Sequence, residues 1–586
     1  MEQERQLPCT NVVDCDMSDL EASSDEVSDN DYIYDSSDES SEYSEMSEDN
    51  IGDDLKFIVY ESELDKLFHF CHMCLSPVSE VKKITSGSLV AIHTLCLQHH
   101  ELTWTSQPYM SNNVPAGNVQ IPAAIICTGG TFQEFSSFAK ALKLKFISES
   151  SFYSTQDKFV LPVINKQYQQ QQLSVINDVK KRNTPVDLCG DGRADSPGHN
   201  AKYGTYSMMD EDSGKIVDFA LVHVSEVSSS NAMEYEGCKR TLDNLLNNKV
   251  SIRSLTTDRH TQVTAKLQQN YPTIKHQYDV WHLSKWVTKK LSKKAKLKSN
   301  KDLEPWIKSI NNHLWWSVQT CNQDPKVLVS NWVSITNHIC DKHTWKEGKT
   351  TVSCKHQKLS RRERKEINWL KPGSPAHVAL EEVICNQKFL KDIVKLTECH
   401  HTGNLEVFHS LLLKYAPKRK HFSYQGMVGR TQLAIIDHNN NSNREQAITK
   451  KGEGRYRVVF PKTRKTWVAK PVLTQKSYSF VNAMVDEIAE CHKNKKTLPK
   501  IQVPEHIPKN IATVERPPKE EVVKKHISRM IKKKKEKSQS NESHKTNKTL
   551  SKTHVPEHIS KEVATIKPPK EKINNLTTKK KKGNKK

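Results

Sequence analysis

Between Pro185 and Trp286 the chain alternates strand-like and helix-like runs, and this order restricts the fold more than any other feature of the sequence. VDLCGDG and then KYGTYSMMDEDSGKIVDFALVHVSEV read as a strand followed by a hairpin whose tip is Asp210 to Gly214. SSSNAMEYEGCKRTLDNLLNNK follows, with Ser and Asn suited to N-cap positions and apolar residues at helical spacing. VSIRSLTTD then reads as a buried strand, TQVTAKLQQNY as a short helix, and IKHQYDVW as a strand leading into a lysine-rich helix. The order strand, strand, strand, helix, strand, helix, strand, helix predicts a mixed sheet flanked by helices.

Two carboxylates fall at telling places in that pattern. Asp191 lies on the first strand, in CGDGRADSPGH, and Asp258 ends the fourth, in SLTTDRH. A single Asp after a strand is most often a turn or a helix cap. Two on adjacent strands of one sheet can converge on one point, as hard divalent cations such as Mg²⁺ require. A third carboxylate on a helix would complete a two-metal site. Glu406 is the candidate, because LEVFHSLLLKY has helical periodicity and a basic segment follows it.

Charge places these residues in a basic body. The chain has 586 residues and a formal net charge of +21. Residues 1–54 carry −18, residues 55–492 carry +20 and residues 493–586 carry +19. The middle segment is long enough for a sizeable core, and its charge implies a polyanionic partner. The ends read as disordered tails, one rich in Ser, Asp and Glu, the other in Lys. The basic tail repeats itself: VPEHIPKNIATVERPPKE from Val503 recurs as VPEHISKEVATIKPPKE from Val555. Lysine runs at Lys532, Lys533, Lys534 and Lys535, and at Lys579, Lys580, Lys581 and Lys582, resemble nuclear-localisation or phosphate-binding patches. No stretch has the roughly 18 apolar residues of a membrane span, and the N-terminus is polar, so neither membrane insertion nor secretion is expected.

The 14 cysteines are too dilute for a disulfide scaffold, and several stand near histidines. That combination points to a reducing compartment and to zinc. Cys71, Cys74, Cys96 and His99 form a CxxC followed by a CxxH, with Lys82 and Lys83 on the intervening loop. Each pair would supply two ligands from one tight turn. A second set, His338, His343, Cys354 and His356, can close another tetrahedral site, with Cys340 or Cys321 as substitutes. Between Asp279 and Glu406 the chain is longer than a sheet-flanking connection needs, which implies an inserted subdomain. Eight of the 10 tryptophans fall in it or at its edge, most of them expected to form a helical core.

Taken together, DGRADSPGHNAKYGTYSMMD, SLTTDRH, HQYDVWHLSKW and HTGNLEVFHS resemble the catalytic domain of a DDE transposase with an RNase H-like fold, closest to the Kolobok superfamily and its domesticated relatives. The resemblance spans roughly Gly117 to Lys493 and includes no THAP module. It implies Asp191, Asp258 and Glu406 as ligands of two Mg²⁺ or Mn²⁺ ions, with Asp279 and His282 of the "D, two residues, H" signature beside them. It implies a nuclear protein that cleaves double-stranded DNA at transposon ends and transfers the strand to target DNA, acting as a homo-oligomer. Hairpin-forming transposases of similar layout hold a flipped base on an aromatic in the insertion, a part that Trp315 or Trp316 would take. A domesticated, catalytically silent DNA- or chromatin-binding protein is the alternative, and an RNase H-like nuclease without strand transfer a third.

The expected organisation is then an acidic tail over 1–54, a zinc-finger-like module over 55–110 and an N-terminal α/β part over 111–184. The first part of an RNase H-like core follows over 185–290, then a helical, Trp-rich insertion over 291–395. The catalytic-Glu helix and the rest of the core occupy 396–492, and a Lys-rich tail 493–586.

Overall fold

A computed structural model describes residues 54–110, 113–197, 201–348, 350–461, 465–508 and 517–531. The acidic tail up to residue 53, the second copy of the repeat and the lysine runs at 532–535 and 579–582 lie outside the described residues. The chain divides into two units, residues 1–511 and 512–586. In the second, residues 519–531 are helical and exposed throughout.

In the first unit a short helix at Glu61–Lys66 precedes a three-stranded antiparallel sheet, β1 (Val78–Ser86), β2 (Leu89–Cys96) and β3 (Glu101–Thr105), in that order. Lys82 and Lys83, expected on a loop, lie on β1, where Lys83 pairs with Glu61 and Asp65. A two-residue ladder, β4 (Tyr109–Met110) with β5 (Val114–Pro115), leads into helix α1 (Gly117–Cys127). Helices at Phe132–Leu142 and Glu149–Thr155 precede α2 (Leu161–Lys181). The part expected as α/β over 111–184 is therefore helical apart from that ladder. Its apolar residues recur at helical spacing, as Val160, Leu161, Val163, Ile164 and Tyr168 do, and no period-2 alternation is present.

The central sheet has the order β10-β9-β6-β7-β8. Its strands are β6 (Val186–Ala194), β7 (Tyr203–Asp210), β8 (Ile216–His223), β9 (Ile252–Thr257) and β10 (Lys275–Tyr278). β7 runs antiparallel to β6 and to β8, whereas β6, β9 and β10 are parallel. Two crossovers make the parallel part, α3 (Ser230–Asn247) between β8 and β9 and α4 (Thr261–Asn270) between β9 and β10. Alternation along β6 divides the apolar residues between two cores. Leu188 joins Tyr206, Met208, Leu242, Leu255 and Leu267 on the α3 and α4 side. Cys189 joins Met209, Ile164, Leu405, Phe408 and Leu433 on the other, where α2 packs with α6 (Gly403–Tyr415) and α7 (Tyr424–Asn441).

Helix α5 (Val280–Ala295) follows β10, and the insertion builds its own core against it. Trp281, Trp306, Trp315 and Trp332 lie in that core with Leu314, Leu380 and Phe389. The Trp332 indole N–H donates to the Ile384 carbonyl at 3.1 Å, and the Trp306 indole to that of Asn368 at 2.9 Å. The insertion is not wholly helical, since β11 (Thr344–Glu347) and β12 (Thr350–Ser353) pair as a hairpin. After α7 come a ribbon, β13 (Tyr456–Val459) with β14 (Val468–Pro471), and α8 (Ser479–Lys493). The first copy of the repeat touches the body at its start, where Ile507 is buried and His506 Nε2 lies 3.0 Å from Glu226. No helix among the described residues is long and apolar enough to cross a membrane.

Trp332 is fully buried and hydrogen-bonded at the centre of the insertion core. Trp332→Ala should cost about 3–5 kcal/mol of stability, checked by denaturant unfolding.

Candidate functional site

The parallel register of β6 with β9 sets the site. Gly190 and Thr257 form the last pair of the two strands, so Asp191, still within β6, and Asp258, just past β9, follow side by side. Glu406 reaches them from the first turn of α6. Asp191 is close enough to push up the pKa of both Asp258 and Glu406, and His282, in the first turn of α5, lies between the latter two. Its Nδ1 lies 2.7 Å from Asp258 Oδ1, and its Nε2 lies 4.0 Å from Glu406 Oε1. Asp258, Asp279 and His282 have ligand-type atoms within 4.8 Å of one another. Burial alone would lower the His282 pKa, but Asp258 and Asp279 raise it to about 10, so the ring carries a proton. Burial pushes Asp258 up, with Asp191 adding to it against His282. Burial also pushes Glu406 up, while His282 and Lys285 pull it down.

Asp279 has a different part. The sequence extends the last strand through it, yet β10 stops at Tyr278 and Asp279 caps α5. Its Oδ1 accepts the backbone N–H of Trp281 at 2.6 Å and of His282 at 3.4 Å. Its Oδ2 accepts the N–H of Thr402 at 3.2 Å, the Thr402 hydroxyl, and His282 Nδ1 at 3.2 Å. A carboxylate has about four acceptor positions, and five donors occupy them here. Despite burial, which raises its pKa, His282 and Thr402 hold Asp279 below the ordinary value. Asp279 is thus a buried clamp between the start of α5 and the start of α6, whose Glu406 N–H bonds the Thr402 carbonyl at 3.1 Å.

Two side chains that sequence reasoning missed complete the cluster. His409 lies one turn beyond Glu406 on the same helix face, with Nδ1 3.4 Å from Asp191 Oδ2 and its buried Nε2 without a hydrogen bond. The Glu-x-x-His spacing was the available signal. Glu234 comes from α3 and lies over Gly192, where a Cβ would sit 2.8 Å from its Cγ. Burial, then Asp191 and Asp258, push its pKa to about 8. Nothing in its helical surroundings, SSSNAMEYEG, marked it beforehand.

A Cys/His cluster near the N-terminus can hold zinc, with one correction. The group is Cys71, Cys74, Cys96 and His100, not His99. His99 adopts a left-handed backbone, φ 63°, with its N–H bonded to the Cys96 carbonyl, and its side chain is exposed. That turn brings the next ring back, placing His100 Nδ1 3.9 Å from Cys71 Sγ. Cys74 lies 3.7 Å from Cys96, and hydrogen bonds from Ser76 lower its pKa to about 6, which favours the metal-binding thiolate. His338, His343, Cys354 and His356 also come together. His343 Nδ1 is 3.2 Å from His356 Nε2, Cys354 Sγ is 3.5 Å from His338 Nδ1, and Asp341 orients His343 through its Nε2 at 3.0 Å. Cys321 lies in the insertion core, bonded to the Val318 carbonyl, and neither it nor Cys340 joins this group.

Trp315 cannot stack on a base from where it stands. It is 6% exposed and packed among Leu314, Val318 and the other core side chains, because the helix at Ile307–Gln319 turns it inward. Trp316 is half-buried, stacked on His313 with Lys355 over its ring.

No protein-family model matches the chain, and no curated protein matches it.

His100→Ala should remove about one zinc per chain, measured by metal analysis of the purified protein, whereas His99→Ala should keep it. Asp279→Ala strands five donors and should lower stability by about 2–4 kcal/mol in thermal unfolding. Asp191→Asn should lower it much less.

Proposed function

We propose that this chain is a metal-dependent DNA strand-cleaving and strand-transferring protein of the DDE transposase type, with an RNase H-like catalytic sheet. One observation carries the reading: Asp258 and Glu406, from a strand and from a helix beyond a long insertion, both reach His282, and Asp191 on the parallel neighbouring strand is close enough to push up both of their pKa values. The strand order, with an antiparallel hairpin on one side of β6 and two parallel strands on the other, supports the fold assignment.

The donor set suits hard divalent ions. Asp191, Asp258, Glu406 and Glu234 offer carboxylate oxygens, Asp258 Oδ1 is buried without a hydrogen bond of good geometry, and Glu234 has a raised pKa. Two Mg²⁺ or Mn²⁺ ions bound there would activate a water or 3′ hydroxyl and stabilise the leaving oxygen. The chain itself does the holding. Asp279 and Thr402 fix the distance between α5 and α6, and so the reach of Glu406 toward Asp191 and Asp258. The His282 ring, its pKa raised by Asp258 and Asp279 against burial, offsets part of the carboxylate charge. His409 steadies Asp191 from the helix that carries Glu406.

DNA as substrate is supported by a stripe of lysines leading from the site. Lys285, Lys289, Lys293 and Lys296 are exposed at helical spacing along and just past α5. Other basic stretches contribute less, because Arg364 is paired with Asp341, Lys414 with Asp437 and Lys420 with Glu134. Action as a homo-oligomer and nuclear location belong to the same proposal, the latter resting on the lysine runs of the tail.

Asp191→Asn, Asp258→Asn and Glu406→Gln should each abolish cleavage and strand transfer of DNA ends in Mg²⁺ or Mn²⁺, with thermal stability kept. Cleavage retained in any of the three would overturn the ligand assignment. A wild-type chain that binds DNA but cleaves none in either ion would support the silent, DNA-binding alternative.

A further inference from the structure

An exposed aromatic surface lies outside the carboxylate site, on the ribbon of β13 and β14. The register pairs Tyr456 with Pro471 and Val458 with Ala469, so these four side chains share one face. Phe460 and Trp467 continue that face toward the tip, their rings 5.3 Å apart and edge to face. Tyr456 is 63% exposed, Val458 66%, Phe460 49% and Trp467 71%. Arg457 and Lys470 pair on the opposite face. The base of the ribbon is tied down, with Arg455 N–H to the Ala447 carbonyl, Val472 N–H to the Arg455 carbonyl and Arg444 Nη1 to the Thr474 carbonyl. The aromatic face is thus presented on an anchored ribbon and covered by nothing among the described residues.

Charge selects the occupant. Residues 444–471 hold nine Lys/Arg against two Asp/Glu, so a partner that covers the rings must also be strongly anionic. Nucleic acid combines phosphates with flat apolar faces that stack on aromatic rings, at a gain of about 1–3 kcal/mol per base. In a duplex those faces are already stacked on each other, so unpaired bases are the ligand that fits.

We infer that the β13–β14 ribbon is a binding site for unpaired DNA, with bases stacking on Trp467, Phe460 and Tyr456 and the flanking basic side chains holding the phosphates. The inference rests on the DNA-processing reading above and deepens it: the strand that the ribbon holds is a single-stranded or frayed DNA end. It also moves the base-stacking part from Trp315, which the insertion buries, to an aromatic that solvent reaches.

The test uses the full chain with no added Mg²⁺ or Mn²⁺, so that cleavage does not consume the probe. Fluorescence anisotropy would compare a labelled single strand of about 20 nucleotides, a blunt duplex of the same length and that duplex with a short 3′ overhang. Trp467→Ala should weaken binding to the single strand and the overhang by about tenfold while changing blunt-duplex affinity less than about twofold, and Trp467→Tyr should restore most of the loss. Lys465→Ala, at an exposed position two residues from Trp467, should weaken all three probes. Equal single-strand affinity in Trp467→Ala and wild type would overturn the inference. So would a Trp467→Ala defect that appears only in binding to anionic phospholipid vesicles, or only in self-association measured by sedimentation. Because the readout is binding without metal, Trp467-dependent capture of single strands in a chain that cleaves nothing keeps this inference and sinks the catalytic one. Normal cleavage with no such capture does the reverse.

Discussion

A buried carboxylate that makes no claim on substrate holds the rest of the structure in place. Asp279 stands where β10 ends and α5 begins, and it accepts the hydroxyl and the N–H of Thr402, 123 residues further along the chain. Burying a charge is costly unless its acceptor positions are filled, and here each one is. The clamp closes the insertion at its neck, so that the whole segment from Lys298 to Leu396 folds against α5 without disturbing the spacing between α5 and α6. Neighbouring contacts act in the same sense: the N–H of Glu398 reaches Gln277 Oε1, and His400 pairs with Glu211.

Around that neck, negative charge is concentrated where the sheet is most open. Asp191, Asp258, Glu406 and Glu234 crowd together, and the crowding shows in the raised pKa of both His282 and Glu234. Such crowding destabilises a fold unless a cation is supplied, which makes the arrangement useful to a metal and otherwise expensive. Glycine permits it at one position: with any side chain at Gly192, Glu234 could not lie across β6.

The two Cys/His clusters answer a different need. The hairpin of β11 and β12 has no buried side chain, and the N-terminal sheet buries side chains only along β2. In elements of that size a metal can replace the missing apolar contacts. The first cluster was legible in CxxC and in a following Cys, but LCLQHH left two adjacent histidines to choose between, and only the left-handed turn at His99 decides for His100. The tryptophans behaved alike. Their gathering in one segment marked a helical core, while the inward turn of Trp315 depends on packing against helices far away in sequence.

By itself the sequence determined the alternation of strands and helices from Val186 to Ala295, the hairpin tip at Asp210 to Gly214 and the positions of Asp191, Asp258 and Glu406, because each is written in local periodicity and turn chemistry. Only the tertiary structure decided that Asp279 caps and clamps, that Glu234 and His409 join the carboxylates, and that the open aromatic face lies on the β13–β14 ribbon. These outcomes depend on which residues face each other across separate elements. A local pattern can say that a side chain lies on a helix or a strand, but long-range packing and the need to satisfy buried charge settle what stands opposite it.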